Sequence, residues 1–404
     1  MVSALKDIKI VDLSRVLAGP WATQMLADLG AEVIKIEQPN RGDDTRYWGP
    51  PFLKEGTDEE VPEAAYYHCA NRNKQSVAID ISTSEGQQII KDMVLDADVL
   101  VENYKVGGLK KYGLDYQTLS KLNPNLIYCS ITGFGQKGPS AHKAGYDAII
   151  QAEGGIMSLT GDANGEPMKV GIAIADIMTG LYSCNAILAA LFARTHTKTG
   201  QHIDVALLDV QMSVLANQGM SYLSTGENPT RYGNAHPVVV PYQPFTSKDG
   251  KLIVAIGNDL QFTKFCQQVD RADLATDPKF CKNGQRVKFR DELIPLLDEI
   301  IKTRTTDEWI EVLEKISVPC GPINTLEQVF DHPQTKYRKM VRQVPNSEGK
   351  MIDVIASPIN LSDTPLQYKT ASPALGEHGD KVLSEKLGYS AEKISALRSQ
   401  KIIG

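Results

Sequence analysis

The chain has 404 residues, 42% of them hydrophobic and 23% charged, an ordinary globular composition under which no segment has to be disordered. A formal net charge of −6 argues against a nucleic-acid partner, because phosphate binding needs a basic surface. Single hydrophobic cores stop growing near roughly 250 to 300 residues, so two domains are expected.

From Met1 to Ile8 the chain runs straight into a strand pattern, without a basic region and a long apolar core. No signal peptide is expected, and the location is read as cytoplasmic. Ile8 to Leu13 reads as a short buried strand, Trp21 to Leu29 carries apolar residues at helical spacing, and Ala31 to Ile36 is strand-like again. Ser82 and Glu85 have the spacing of a capping box and open a helix through Val94. Val99 to Glu102 is a strand, Tyr116 to Leu122 a helix and Leu126 to Thr132 a strand, an alternation that predicts a parallel sheet with helices on its faces. The apolar run Val170 to Ala175 then leads to Asp176, just before an alanine-rich helix from Leu181 to Arg194. A carboxylate there is either a helix cap or an anionic nucleophile. Turn-formers at Ser224 to Pro229 mark a boundary, followed by strands in 238–257, helices from Leu260 to Ile316, a strand at Asp353 to Ala356 and a helix from Ala391 to Arg398. No uncharged apolar run approaches roughly 18 residues, so no membrane-spanning helix is expected.

The six cysteines are scattered, which predicts reduced thiols, and none of the seven histidines stands in a metal-ligand spacing, so no metal is expected. Glu37 ends the second strand where a ribose-binding acid would sit, but the preceding turn has one glycine where the dinucleotide motif needs three. Gly133, Gly135 and Gly138 have the formal spacing without a following helix, so they read as a flexible or ligand-approaching loop. Arg41, Arg46, Arg72, Lys74, Lys111, Lys137 and Lys143 recur at loops near sheet edges, which predicts a small anionic ligand. Tyr146, beside Asp147, reads either as packing or as a donor to an oxyanion. His236 is read as a structural or rim histidine ahead of a catalytic one.

Several segments together resemble the class III coenzyme A transferases, the formyl-CoA and carnitine-CoA transferase family. They are Ala18 to Pro20, Leu26 to Glu37, Asn71 to Lys74, Gly133 to Pro139 and the stretch around Asp176, with Pro319 to Pro322 and Leu375 to His378 extending the likeness. The resemblance implies an α/β fold: a Rossmann-like large domain made of both chain ends, a smaller α+β domain between them, and an interlocked homodimer. The corresponding segments would be 1–224, 225–330 and 331–404. It implies acyl-CoA and carboxylic acid substrates, no nucleic acid and no membrane. The family's nucleophile falls on Asp176. Its coenzyme-lining positions fall on Val16, Leu17 and Ala18, on Ile79, Asp80, Ile81 and Ser82, on Asn103 and Tyr104, on Lys111, and on Ala144, Gly145, Tyr146 and Asp147.

The chain departs from the formyl-transferase pattern at Arg15 and Leu17, and has Gln38 where that pattern has a basic residue, which leaves the coenzyme 3′-phosphate to Arg41 or to solvent. Arg231 to Gly250 is most similar to enzymes that move CoA between succinate and glutarate or related dicarboxylates. Arg46, Gly233, Asn234 and His236 are the candidate substrate contacts, and Thr179 and Gly180 are expected to leave room for a thioester beside Asp176. Two other readings stand beside this one. An α-methylacyl-CoA racemase would pair a histidine with the aspartate, but Tyr146 occupies that position, and tyrosine, with an ordinary pKa of about 10, is a poor neutral-pH base. A non-catalytic CoA-binding protein would use Asp176 merely as a cap.

Overall fold

The computed structural model describes residues 2–53 and 63–404. The chain divides into two compact units: one of 1–156, 170–223 and 334–404, the other of 157–169 and 224–333.

In chain order the first unit places β1 (Lys9–Asp12), α1 (Ala18–Asp28), β2 (Glu32–Glu37), β3 (Lys74–Ala78), α2 (Ser84–Val94), β4 (Val99–Glu102), α3 (Tyr116–Leu122), β5 (Ile127–Thr132), α4 (Asp147–Glu153), α5 (Ile174–Thr197), β6 (His202–Ala206) and α6 (Leu207–Ser213). The six strands form one parallel sheet in the order β3-β2-β1-β4-β5-β6. Their Val- and Ile-rich sequences follow from being covered on both faces. Leu100 and its in-register neighbours pack under α2, α3 and the returning segment Val382 to Ile403, while Val99, Val101 and Ile127 pack under α1 and α5. The chain steps from β1 to β2 on one side and later to β4 on the other. Loops therefore diverge at the carboxyl ends of β1 and β4, where open α/β sheets bind ligands.

Two helix starts differ from the sequence reading. The cap of α2 is Thr83, whose Oγ1 accepts from Gly86 N at 3.0 Å, whereas the Ser82 hydroxyl donates to Asp80. Helix α5 begins at Ile174, seven residues before the expected start, so Asp176 lies within its first turn. By length and composition alone α5 is long and apolar enough to cross a bilayer, unlike any uncharged run in the sequence. It packs along α1 and α6 as a central helix of the first unit.

Residues 334–404 close this unit. The hairpin of Val341–Pro345 and Met351–Ile355 is fixed by Arg72, which pairs with Asp28 and donates to the Ile355 carbonyl at 3.0 Å. Ile403 bridges to Ile79, and Asp80 N donates to the Ile402 carbonyl at 2.8 Å.

The second unit is built on an antiparallel three-stranded sheet, β7 (Tyr242–Thr246), β8 (Lys251–Ala255) and β9 (Cys320–Pro322). Phe245, Phe262, Phe265, Leu293, Leu297 and Trp309 make its core. The buried Arg286 guanidinium is satisfied by the carbonyls of Val240 and Phe280 and by Asp259.

Candidate active site

The site begins with the turn that follows β1, where side chains from several strand ends hold three consecutive residues. Ser14 N donates to Asp12 at 3.0 Å, and the Ser14 carbonyl accepts from Lys35 Nζ at 2.9 Å. Asn103 pairs with the Arg15 backbone in both directions, accepting from its N–H at 3.0 Å and donating to its carbonyl at 2.7 Å. Val16 N donates to the two Asp43 oxygens at 3.2 Å each. Val16 stands at φ +71°, a left-handed backbone that costs a β-branched residue about 1 to 3 kcal/mol. Glycine at 19 lets the turn fold back, since a Cβ there would lie 2.3 Å from Ser14 Cβ.

This turn forms one wall of a cavity of about 160 Å³. Val16, Leu17 and Ala18 line it with Asn103 and Tyr104 after β4, Gly133 after β5, Ala144, Gly145 and Tyr146 before α4, and Asp176. An adjoining cavity of about 310 Å³ shares Arg15, Asp44 and Tyr104 with it and extends over Gln38, Arg41 and Ile79, Asp80, Ile81 and Ser82. At the junction Asp44 pairs with both Arg15 and Arg41, each at 3.0 Å. The positions expected from the resemblance are thus brought together in one cleft, apart from Lys111 and Asp147. Lys111 packs over the Tyr112 ring, which faces the larger cavity.

Asp147 has a different task. Its Oδ1 accepts from the N–H groups of Ala175 at 2.8 Å and Asp176 at 3.3 Å, and its Oδ2 accepts from Gln151 at 2.7 Å. It therefore caps α5 from another helix, in place of Ala173, which has no capping side chain. Asp176 is released from the capping role the sequence left open. Burial pushes its carboxyl up to about 7, and the Asp147 charge adds to the rise. The nearest N–H groups are given to Asp147 and do not hold Asp176 ionised. Asp147→Asn keeps an acceptor for the helix and removes the charge. Its profile of kcat/KM against pH should keep the same form with the acid limb displaced below pH 7. A limb that stays in place would show that Asp176 does not sense Asp147.

Several basic residues expected at an anionic ligand belong to the interior. Arg46 is 3% exposed and commits its guanidinium to Glu37 at 2.7 Å, Glu63, the Tyr67 hydroxyl and the Pro373 carbonyl, so it is not offered to a substrate. Lys74 lies on β3 and reaches Asp12 at 3.1 Å; burial pushes its ammonium down to about 8 against the pull of that carboxylate. Lys143, by contrast, lines the Asp176 cavity. Gly180 is closed off by α1, since a Cβ there would meet the Ala18 carbonyl at 2.8 Å and Trp21 at 3.0 Å. The Thr179 hydroxyl bonds to Ala175 O within the helix. Close helix packing, not room for a thioester, explains these two small residues. Gly133 is needed because the Gly145 backbone presses on it. Gly233 and Asn234 lie in the second unit, around a cavity with Gly161, Asp162 and Lys251. There His236 stacks on Tyr242 at 5.2 Å.

Trp48 and Tyr66 were not legible as site residues. Trp48 lines the Asp176 cavity and meets Tyr66 edge-on at 5.5 Å. Burial, then the Asp176 charge, pushes the Tyr66 phenol up to about 12, so it stays neutral. Trp48 adjoins the turn-formers Gly49, Pro50 and Pro51, and Tyr66 sits in a four-residue helix, Ala65–His68, too short to show a periodic pattern.

The family model of CoA-transferase family III matches residues 5–379. The succinate–glutarate CoA-transferase of Agrobacterium fabrum is 50% identical over 382 residues, covering 94% of this chain and 95% of that protein. The human succinyl-CoA:glutarate CoA-transferase is 41% identical over 402 residues, 100% of this chain and 90% of its own. The crystal structure of a CAIB/BAIF family protein from Brucella suis matches at a TM-score of 0.85 and 49% identity, covering 95% of this chain and 100% of that one. With the likeness running through both units and the closing segment, the chain belongs to CoA-transferase family III, and it is an enzyme that acts on CoA thioesters.

Proposed function

We propose that the protein moves coenzyme A from succinyl-CoA to a dicarboxylate acceptor such as glutarate, with Asp176 as the nucleophile. The observation that carries this reading is the half-buried Asp176 carboxylate, which faces the Val16–Ala18 cavity while Asp147 does the capping. The names of the relatives support the choice of succinate and glutarate.

The ionised Asp176 attacks the thioester carbonyl and expels CoA thiolate, leaving a mixed anhydride. The thiolate attacks the aspartyl carbonyl of that anhydride, releasing succinate and forming an aspartyl-CoA thioester. The acceptor carboxylate then attacks this thioester and returns the thiolate, which takes the acceptor acyl group and frees Asp176. Covalent catalysis divides one hard exchange into easier steps. Each intermediate is open to hydrolysis, so the chemistry requires that water be kept from the reacting carbonyl. Arg41 and Arg15, paired on Asp44, are the proposed cations for the coenzyme phosphates. Tyr146, exposed at the cavity rim, stands where a racemase would need its histidine. We further propose a homodimer, interlocked as the resemblance implies, which would cover exposed apolar side chains of the first unit such as Phe192, Met212, Met220 and Leu223. The cytoplasm is its proposed location.

Rapid-quench mass spectrometry with succinyl-CoA tests the mechanism. A CoA adduct is expected on the peptide that carries Asp176. Turnover without any adduct on that peptide would replace the covalent path by a ternary complex.

A further inference from the structure

We infer that Asp43 and Lys35 are positioning residues for the coenzyme: they hold Val16 left-handed so that the Val16–Ala18 backbone faces the cavity. The inference rests on the CoA-binding reading of the cleft. Neither group meets solvent, their side chains being 0% and 1% exposed, yet each makes a bond to the ligand-facing turn. Lys35 Nζ joins the Ser14 carbonyl to Asp43 at 2.9 Å each. Asp43 accepts from Val16 N, from Thr45 N at 3.0 Å and from the Thr45 hydroxyl at 2.8 Å.

A purely structural ion pair would not need to bond the backbone N–H of Val16, among the described residues the one β-branched residue at positive φ. Strain of this kind persists only where the surroundings over-determine it, and it gathers at ligand clamps. Here the turn is gripped from two sides. Asp43 and Lys35 act from the β2 side and Asn103 from the β4 side, across the point where the sheet diverges. Relaxing Val16 toward ordinary backbone would swing Leu17 and Ala18, which line the cavity beside Asp176. Asp43 also caps the short turn that begins at Asp44, the partner of Arg15 and Arg41. One buried carboxylate thus sets both the backbone wall and the cation pair.

The test is a double-mutant cycle in which CoA binding is read by calorimetry in the inactive Asp176→Asn background, so that chemistry does not enter. Asp43→Asn should weaken CoA binding about tenfold, the loss typical of a charge-assisted hydrogen bond. In a Val16→Gly background, where glycine adopts the left-handed backbone unaided, the same substitution should cost about twofold or less. Should Asp43→Asn not fold, the neutral pair Lys35→Met with Asp43→Asn replaces it in the same cycle. Equal losses in both backgrounds would overturn the positioning role while leaving the functional reading intact. Absence of CoA binding by the Asp176→Asn parent and by the unsubstituted protein would overturn the functional reading and this inference with it.

Discussion

Asp176→Asn is expected to lower CoA transfer by at least about a thousandfold while raising the melting temperature. The loss follows if the carboxylate is the group that bonds the acyl carbon, because an amide cannot replace it. The gain follows from its environment. A carboxyl raised from 3.8 to about 7 binds more protons in the folded chain than in the unfolded chain between those values. Its contribution to stability therefore falls as pH rises through that window, and the whole cost is felt above pH 7. Asparagine carries no such cost. Because the group is only half-buried, the gain is about 1 to 2 kcal/mol, or about 2 to 8 °C for a domain of this size. Thermal melts of both proteins at pH 8 and pH 5 decide the matter, with the difference expected to shrink at pH 5. Equal melting at pH 8 would show that the native site does not penalise the charge. Retention of more than about a tenth of the activity would remove Asp176 as nucleophile.

Gly133→Ala should damage both fold and activity. An added Cβ would lie 2.5 Å from Gly145 Cα and 2.7 Å from Gly145 N, and backbone cannot swing aside as a side chain can. Forcing these segments apart displaces the residues just before Asp147, and with them the cap of α5 and the seat of Asp176. A loss of about 3 kcal/mol is expected, at the upper end for overpacking, lowering the melting temperature by roughly 6 to 12 °C. Gly284→Ala is the control. Its Cβ would meet nothing within 4 Å in a helix of the second unit, so stability should move by less than about 0.5 kcal/mol and activity should hold. If the two variants melt together, the Gly133–Gly145 contact is not the tight point described.

Local signals carried much of the fold. Val99–Glu102 and Tyr116–Leu122 stand where apolar spacing puts them, because each buries a regular face and is bounded by ordinary turn chemistry. The start of α5 was not legible. Val170 to Ala175 reads only as an apolar run before the helix, and the helix is begun inside it by a carboxylate from α4, a contact that no local window contains. The basic residues were misread for the same reason. Arg46 and Lys74 look like surface charges until Glu37 and Asp12 are brought beside them by the sheet register. The cleft itself was reached by family likeness rather than by spacing. The buried residues behind its wall, Asp43 and Lys35, carry no motif and emerge only from the bonds they make.

The bridge from Ile79 to Ile403 has a consequence in the order of synthesis. The segment Ile79–Ser82 closes one end of the cleft, yet its strand edge is completed by residues made more than three hundred positions later. A growing chain can lay down the turn after β1 early, but that end of the cleft stays unfinished while the second unit is being translated. Contacts so distant in sequence form late and slowly. Ribosome-bound intermediates should accordingly be silent toward the coenzyme, and the binding site would mature as one of the final events of folding.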